Sequence, residues 1–311
     1  MATTRQSIIR GPGTVSFASA KLFDASGITA TVESSTQDVP SSISGTLDTI
    51  KTDQLARITL TPVGNLSEAI LAVLYPAAFR APAVGSSLLG ATDSPLAVSS
   101  RAGTRVTFAA AALTKCPDLV LSPVKTALGQ AEFTALLPNG KLPDDKSAQL
   151  YAVAAQAYAD GEVPRTGLTG RHYSATLGDL SIPDTLDGWT VSVEPQLEPV
   201  TTDSQGTIDY TLSGVKVTAR CTPLGLSEAQ LLAALPALSG RGASLAGDDD
   251  LVITAAGGLT VTLRCASLVS GPLNWGASAL RAGELGFTAN VRPSDGSLFD
   301  VALAANGGNA Q

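Results

Sequence analysis

ITATVES (28–34) and WTVSVEP (189–195) are the stretches that decide the fold. In the first, Ile28, Ala30 and Val32 alternate with Thr29, Thr31 and Glu33. In the second, Trp189, Val191 and Val193 alternate with Thr190, Ser192 and Glu194. A period of two predicts a strand with one apolar and one polar face. The two stretches are also one pattern met twice, 161 residues apart.

Working outward, the same offset carries Gly27, Val39, Gly45, Thr46, Asp48, Thr61 and Pro62 onto Gly188, Val200, Gly206, Thr207, Asp209, Thr222 and Pro223 without a gap. One deletion later, Leu66-Ser67-Glu68-Ala69 meets Leu226-Ser227-Glu228-Ala229, and Pro76 meets Pro236. Gly103, Val106 and Thr107 then meet Gly258, Val261 and Thr262. Gly129, Phe133, Thr134 and Ala135 meet Gly283, Phe287, Thr288 and Ala289. Order kept over such a length marks an internal duplication. A chain of 311 residues can hold two domains of ordinary size, each with its own core. The expected organisation is a first β domain at 1–160, a Pro/Gly/Thr linker at 161–170 and a second β domain at 171–311.

ARITLTP (56–62) and VTARCTP (217–223) read as a second matched strand, stopped by Pro and Gly. One short helix follows in each copy. Asn65-Leu66-Ser67-Glu68 opens the first, with Leu66, Ile70 and Leu74 at helical spacing and Tyr75-Pro76 closing it; LSEAQLLAALP (226–236) repeats it. Further strands are expected at 96–100, 105–111 and 131–138, echoed at 251–255, 260–266 and 285–291. The alanine-rich SAQLYAVAAQAYADG (147–161) reads as a helix ending at Gly161. The fold class is therefore mainly β, two tandem sandwich or barrel domains with one short helix each.

Composition narrows the function. Charged residues are only 15% and aromatics 5%, a bland surface that suits a protein hidden in an assembly. No apolar run reaches signal-peptide or membrane-span length, so cytoplasmic synthesis without a membrane anchor is expected. Cys116, Cys221 and Cys265 are odd in number and widely spaced, which suits buried thiols better than disulfides or ligands. His172 is the single histidine and reads as a linker or surface residue, leaving no catalytic triad or HExxH to build. Phosphate-cradling glycine motifs are missing, so neither an enzyme nor a cofactor is expected. Asp248-Asp249-Asp250 could ligate a hard cation, but its counterpart loop Gly90–Asp93 lacks the cluster, and a solvated loop is the better reading.

Residues 1–160 carry 12 basic and 12 acidic side chains, whereas 161–311 carry 8 and 15, so the second copy holds the whole net charge of −7. No basic stripe is present to grip phosphates. Glu33 with Glu194, and Asp48 with Asp209, recur in both copies. With Thr29, Thr31, Thr190 and Ser192 they form the candidate lumen or subunit-interface set; an exposed strand carboxylate remains the plain alternative.

A small β domain with one helix after the TP-G-LSEA corner, doubled in one acidic chain without enzyme motifs, resembles the tail tube (major tail) proteins of long-tailed bacteriophages. The resemblance covers nearly the whole chain and rests on architecture and the repeated corner. It implies two packed sheets flanked by a helix, with about four strands per domain lining a shared barrel. It also implies homotrimers of pseudo-sixfold symmetry, stacked into a virion tube through which double-stranded DNA passes without sequence-specific contact. Terminator, tape-measure and distal tail proteins would be the partners. An acidic lumen would repel the DNA backbone, and the segments 1–15, 139–147 and 303–311 would reach the next ring. Two readings stay open beside it: another tail or injection-machine protein such as a terminator or decoration protein, and a tandem β-sandwich binding or adhesive module.

Overall fold

A computed structural model describes residues 13–18, 20–25, 27–63, 66–89, 94–100, 103–122, 126–137, 150–155, 173–202, 206–224, 226–227, 229–230, 247–255, 258–271, 273–275 and 280–304. The fold is mainly β and antiparallel throughout, with two short helices among those residues.

The first half begins with β1 (Gly13–Phe17), β2 (Ala20–Asp24), the long strands β3 (Thr29–Ser41) and β4 (Gly45–Leu60), and β5 (Pro62–Val63). Helices α1 (Glu68–Leu74) and α2 (Ala77–Arg80) follow. Then come β6 (Leu96–Ser100), β7 (Thr104–Phe108), β8 (Ala110–Lys115), β9 (Leu119–Leu121), β10 (Thr126–Leu128), β11 (Ala131–Leu136) and β12 (Tyr151–Ala155). The second half opens with β13 (Tyr173–Leu177), β14 (Leu180–Ile182) and the long pair β15 (Asp184–Thr202) and β16 (Gly206–Leu224). It closes with β17 (Leu251–Ala255), β18 (Leu259–Leu263), β19 (Ser267–Ser270), β20 (Leu273–Trp275), β21 (Leu280–Ala282), β22 (Leu285–Thr288) and β23 (Phe299–Leu303).

Each half contributes one sheet of short strands and one built on a long hairpin. The short-strand sheets run β12-β7-β6-β1-β2-β5 and, in matching order, β23-β18-β17-β13-β14. The hairpin sheets run β3-β4-β11-β8 and β10-β9-β15-β16-β22-β19. Pairing repeats residue by residue: Ala30↔Ile58 and Ile58↔Phe133 become Val191↔Ala219 and Ala219↔Phe287. Even the irregularities recur. The first hairpin shifts register between Ser35/Thr36 and Val39/Pro40, and the second between Gln196/Leu197 and Val200/Thr201, the same places 161 residues on, with one further shift between Thr185/Trp189. Gly45 and Gly206, each at positive φ, close the two turns where a side chain would strain the backbone.

The apolar faces pack into one contiguous cluster that runs through both halves rather than into two separate cores. Ala56, Ile58, Leu60 and Phe133 supply it from the first half, and Trp189, Val217, Ala219 and Phe287 from the second. Each fully buried large side chain contributes roughly 1.5–3 kcal/mol. Tyr75 lies edge-on to Phe299 at 6.3 Å and donates its hydroxyl to the Pro117 carbonyl at 2.8 Å, joining helix, loop and opposite half. Arg80 adds an ion pair to Asp300 at 2.9 Å.

The helix start is as expected: the Ser67 hydroxyl caps α1 by accepting from the Ile70 amide at 3.3 Å. Ser227 caps the second corner in the same way, and Gln230 reaches back to the Ser227 amide at 3.0 Å, a capping box. Of the repeated helix only Ala229 and Gln230 are described.

Several expectations need correction. Residues 147–161 are not a helix where they are described: Tyr151–Ala155 is β12, paired with β7. Pairing to a preformed edge outweighs the helix preference of alanine, which is a weak prior. The first half holds a second short helix, α2, after Pro76. The 28–34 and 56–62 strands are the bases of one hairpin that extends to Ser41 and Gly45. The expected arm 1–15 ends inside β1, where Thr14 and Val15 are buried, and the 303–311 arm starts inside β23. The rest of both arms, the insertion 139–147, the linker 161–170 and His172 lie outside the described residues.

Candidate assembly interface

The polar alternation seen in sequence places Thr29, Thr31 and Glu33 on one face of β3, opposite Thr59, Arg57 and Leu55 of β4. Thr190, Ser192 and Glu194 occupy the matching face of β15, opposite Arg220, Thr218 and Lys216. On the first of these faces Arg57 sits between two carboxylates, at 3.2 Å from Glu33 and 3.1 Å from Glu132. Its partial burial works against the charge, but the two carboxylates outweigh that and hold the guanidinium above its ordinary pKa. With Arg57 and Glu33 both about half exposed (46% and 48%), the pair contributes no more than about 0.2–1 kcal/mol. The second face carries Arg220 at 3.9 Å from Glu284.

Taken together these faces are rich in hydroxyls and carry Glu33, Asp53, Glu132, Glu194, Glu198 and Glu284 beside Arg57, Lys115, Lys216 and Arg220. Beyond them, the second half's acidic excess includes Asp248, Asp249 and Asp250. Asp250 absorbs part of it, since Arg264 (2.7 Å) and Arg292 both pair with it and the Cys265 amide donates to it at 3.1 Å. The Asp248–Asp250 run is thus only partly a solvated loop: Asp248 and Asp249 are exposed, and Asp250 is a fastener.

The alternation does not bury β3 as it does β15. Val193 is 3% exposed, but its counterpart Val32 is 42% exposed, and Thr29 through Asp38 are all exposed. The hairpin continues outward to exposed Ile43, Leu47 and Ile50.

Asp48 and Asp209, paired by the repeat, also differ. Asp48 lies exposed near the hairpin tip. Asp209 accepts from the Leu89 amide at 3.1 Å and from the Ser87 hydroxyl, tying a first-half loop to β16. Backbone bonds complete that tie, from Gly85 to the Leu212 carbonyl and from Leu88 to the Tyr210 carbonyl, both at 2.8 Å. Nearby, the Asp53 carboxylate accepts from the Thr207 amide (3.1 Å) and hydroxyl (2.9 Å), linking the two hairpins.

The contact that sequence reasoning missed lies between the halves. Strands β9 and β10 leave the first half and add to β15, with Leu121↔Trp189, Val120↔Thr190 and Leu119↔Val191 in register. Gly188 permits the approach, because a Cβ there would stand 1.9 Å from the Leu121 carbonyl oxygen. The recurrence of Gly27 and Gly188 was the available signal, but a glycine repeated in sequence does not reveal which strand comes close.

Chemically, the arrangement offers strand edges, hydroxyls and carboxylates paired with guanidinium groups. Among the described residues no three His, Cys, Asp or Glu side chains gather as a metal site, and no helix is long and apolar enough to cross a membrane. No protein-family model matches the chain, and no curated protein matches it either.

Proposed function

We propose that this chain is a structural virion protein whose copies close into rings of three and stack into a phage tail tube, with a lumen that conducts double-stranded DNA during ejection. The observation that carries the reading is the addition of β9 and β10 of one repeat to the hairpin sheet of the other. Two repeats joined by an unlike pair of surfaces form a heterologous contact, the kind that generates a ring when repeated and closed.

Strand number supports the size. Each hairpin sheet has four strands of its own repeat, β3-β4-β11-β8 and β15-β16-β22-β19. Three chains would bring 24 such strands, the short strands added at the hairpin bases standing outside the wall, and at about 4.8 Å spacing and about 40° tilt the wall would be roughly 48 Å across. Side chains would still leave room for a duplex roughly 20 Å wide. Ring closure would also cover the long outer edge of β3, which is unpaired among the described residues and, left open, invites uncontrolled pairing.

The mechanism on this reading is passive. A face of threonine and serine hydroxyls with more carboxylates than cations offers phosphates no basic stripe to hold them, so DNA slides without being gripped. Contacts with terminator, tape-measure and distal tail proteins would fall at the ends of the stack.

Electron microscopy of the purified protein tests this. Rings or tubes with a central hole wider than about 20 Å are expected. Globular particles without a hole, at every concentration tried, would overturn the reading.

A further inference from the structure

We infer that the β20–β21 hairpin of one copy adds to the outer edge of β3 in a second copy, an edge unpaired among the described residues, reproducing between chains the contact that β9–β10 makes with β15 within the chain. The inference deepens the tube reading and rests on it for the closed ring, though not for the contact itself.

Four observations converge. First, β20–β21 is the counterpart of β9–β10. An offset of 154 carries Leu119↔Leu128 and Leu121↔Thr126 onto Leu273↔Ala282 and Trp275↔Leu280, with the register kept. Yet β9–β10 joins a six-stranded sheet, while β20–β21 forms a two-stranded sheet of its own.

Second, β3 is the counterpart of β15 and is the outermost strand of its sheet. Adding β20–β21 beside it gives β21-β20-β3-β4-β11-β8, the order of β10-β9-β15-β16-β22-β19 position for position. Among the described strands, the two missing from one sheet are the two that pair only with each other.

Third, Gly27 shares the positive φ of Gly188 without its neighbour. Both lie at positive φ, +117° and +88°. A Cβ on Gly188 would collide with Leu121, whereas no described atom lies within 4 Å of one built on Gly27. A glycine held ready for a close backbone approach, with no described backbone approaching, fits a partner supplied from outside.

Fourth, a separate surface shows the same asymmetry. In β23, Phe299 and Val301 are 1% and 3% exposed, beside α1 and Tyr75 of the first half. Their counterparts in β12, Tyr151 and Val153, are 40% and 62% exposed. What the first half covers on the second is uncovered on the first.

The register follows by transfer: Ile28 opposite Trp275, Thr29 opposite Asn274 and Ala30 opposite Leu273. Main-chain hydrogen bonds would give the affinity, as in other strand additions.

Cysteine pairs test it in the full chain: Thr29→Cys with Asn274→Cys, and Ala30→Cys with Leu273→Cys. Adjacent facing pairs alternate between close and wide spacing, so one of the two suits a disulfide. Mild oxidation should link chains through that pair about tenfold more than through the out-of-register pair Ser35→Cys with Asn274→Cys. Hydrogen exchange on the unmodified protein is the second measurement, with the amides of 28–30 and 273–275 slowing at least about tenfold as copies assemble. Interchain linkage in rings or tubes upholds both contact and tube. Interchain linkage without rings upholds the contact and sinks the tube. Rings without linkage or protection overturn the contact and leave the tube. Linkage only within one chain, or an unlinked monomer at high concentration, overturns the contact.

Discussion

Gly188 lies so close to Leu121 that a β-carbon on it would stand 1.9 Å from the Leu121 carbonyl oxygen, while the equivalent Gly27 meets no described atom within 4 Å. The opposing group is backbone and cannot rotate away. Gly188→Ala must therefore push β9 off β15 as well as strain a residue at φ +88°. A loss of about 2–4 kcal/mol in denaturant unfolding is expected. Gly27→Ala carries the conformational strain alone, about 1–2 kcal/mol. Equal costs for the two variants would contradict the account of Gly188.

Asp209 and Asp48 make a second contrast. Asp209→Ala removes the acceptor of the Leu89 amide and the Ser87 hydroxyl and should cost about 1–3 kcal/mol, with faster exchange at Leu88 and Leu89. Asp48→Ala, at an exposed position, should change the stability of the isolated chain by less than about 0.5 kcal/mol. Thermal or urea unfolding of the two variants separates them.

Asp250 predicts a pH dependence. Its burial favours the neutral acid, but hydrogen bonds from Arg292, Arg264 and the Cys265 amide outweigh that and hold the carboxyl below its ordinary 3.8. A depressed folded-state pKa means the stabilisation is present above about pH 4 and is lost as pH falls through the lowered value. Asp250→Asn should lose about 1.5–3 kcal/mol at neutral pH and flatten the acid limb of the stability curve. An unchanged acid limb would rule Asp250 out as its source.

The thiols should be inert in the native protein. Burial pushes Cys116 far above the ordinary thiol range, and burial with the nearby Glu284 carboxylate pushes Cys221 up to about 12. Thiolate is the reactive form, so maleimide at pH 7–8 should label these two positions only after unfolding. Rapid native labelling of either would contradict their burial.

How much of this was legible in the sequence depends on what each residue packs against. The offset of 161 was readable because Val32/Val193 and Thr29/Thr190 alternate over the same interval, and the strand register follows it down to the bulges. The length of the β3–β4 hairpin was not. Residues 35–53 are exposed or half-exposed along most of their course and carry no apolar alternation, which is the signal that marks a strand with a core beneath it. β12 was misread because Tyr151–Ala155 is alanine-rich; its relation to Phe299–Leu303 shows only in the shared pairing to β7 and β18. The candidate set was found as a pattern and divided by its surroundings. Thr29, Thr31 and Glu33 share the face of Thr190, Ser192 and Glu194, but Asp209 is a tether and Asp48 is not, because only Asp209 has a first-half loop against it. Charge summed over a sequence likewise could not show that Asp250 pairs with two arginines.

The central claim is that copies of the chain join head to tail as the two repeats join within it. Sedimentation of the purified protein across a wide concentration range tests it most directly. A species of three 31.4 kDa chains, or a multiple of three, is predicted; a single 31.4 kDa species that persists at the highest concentration would contradict it.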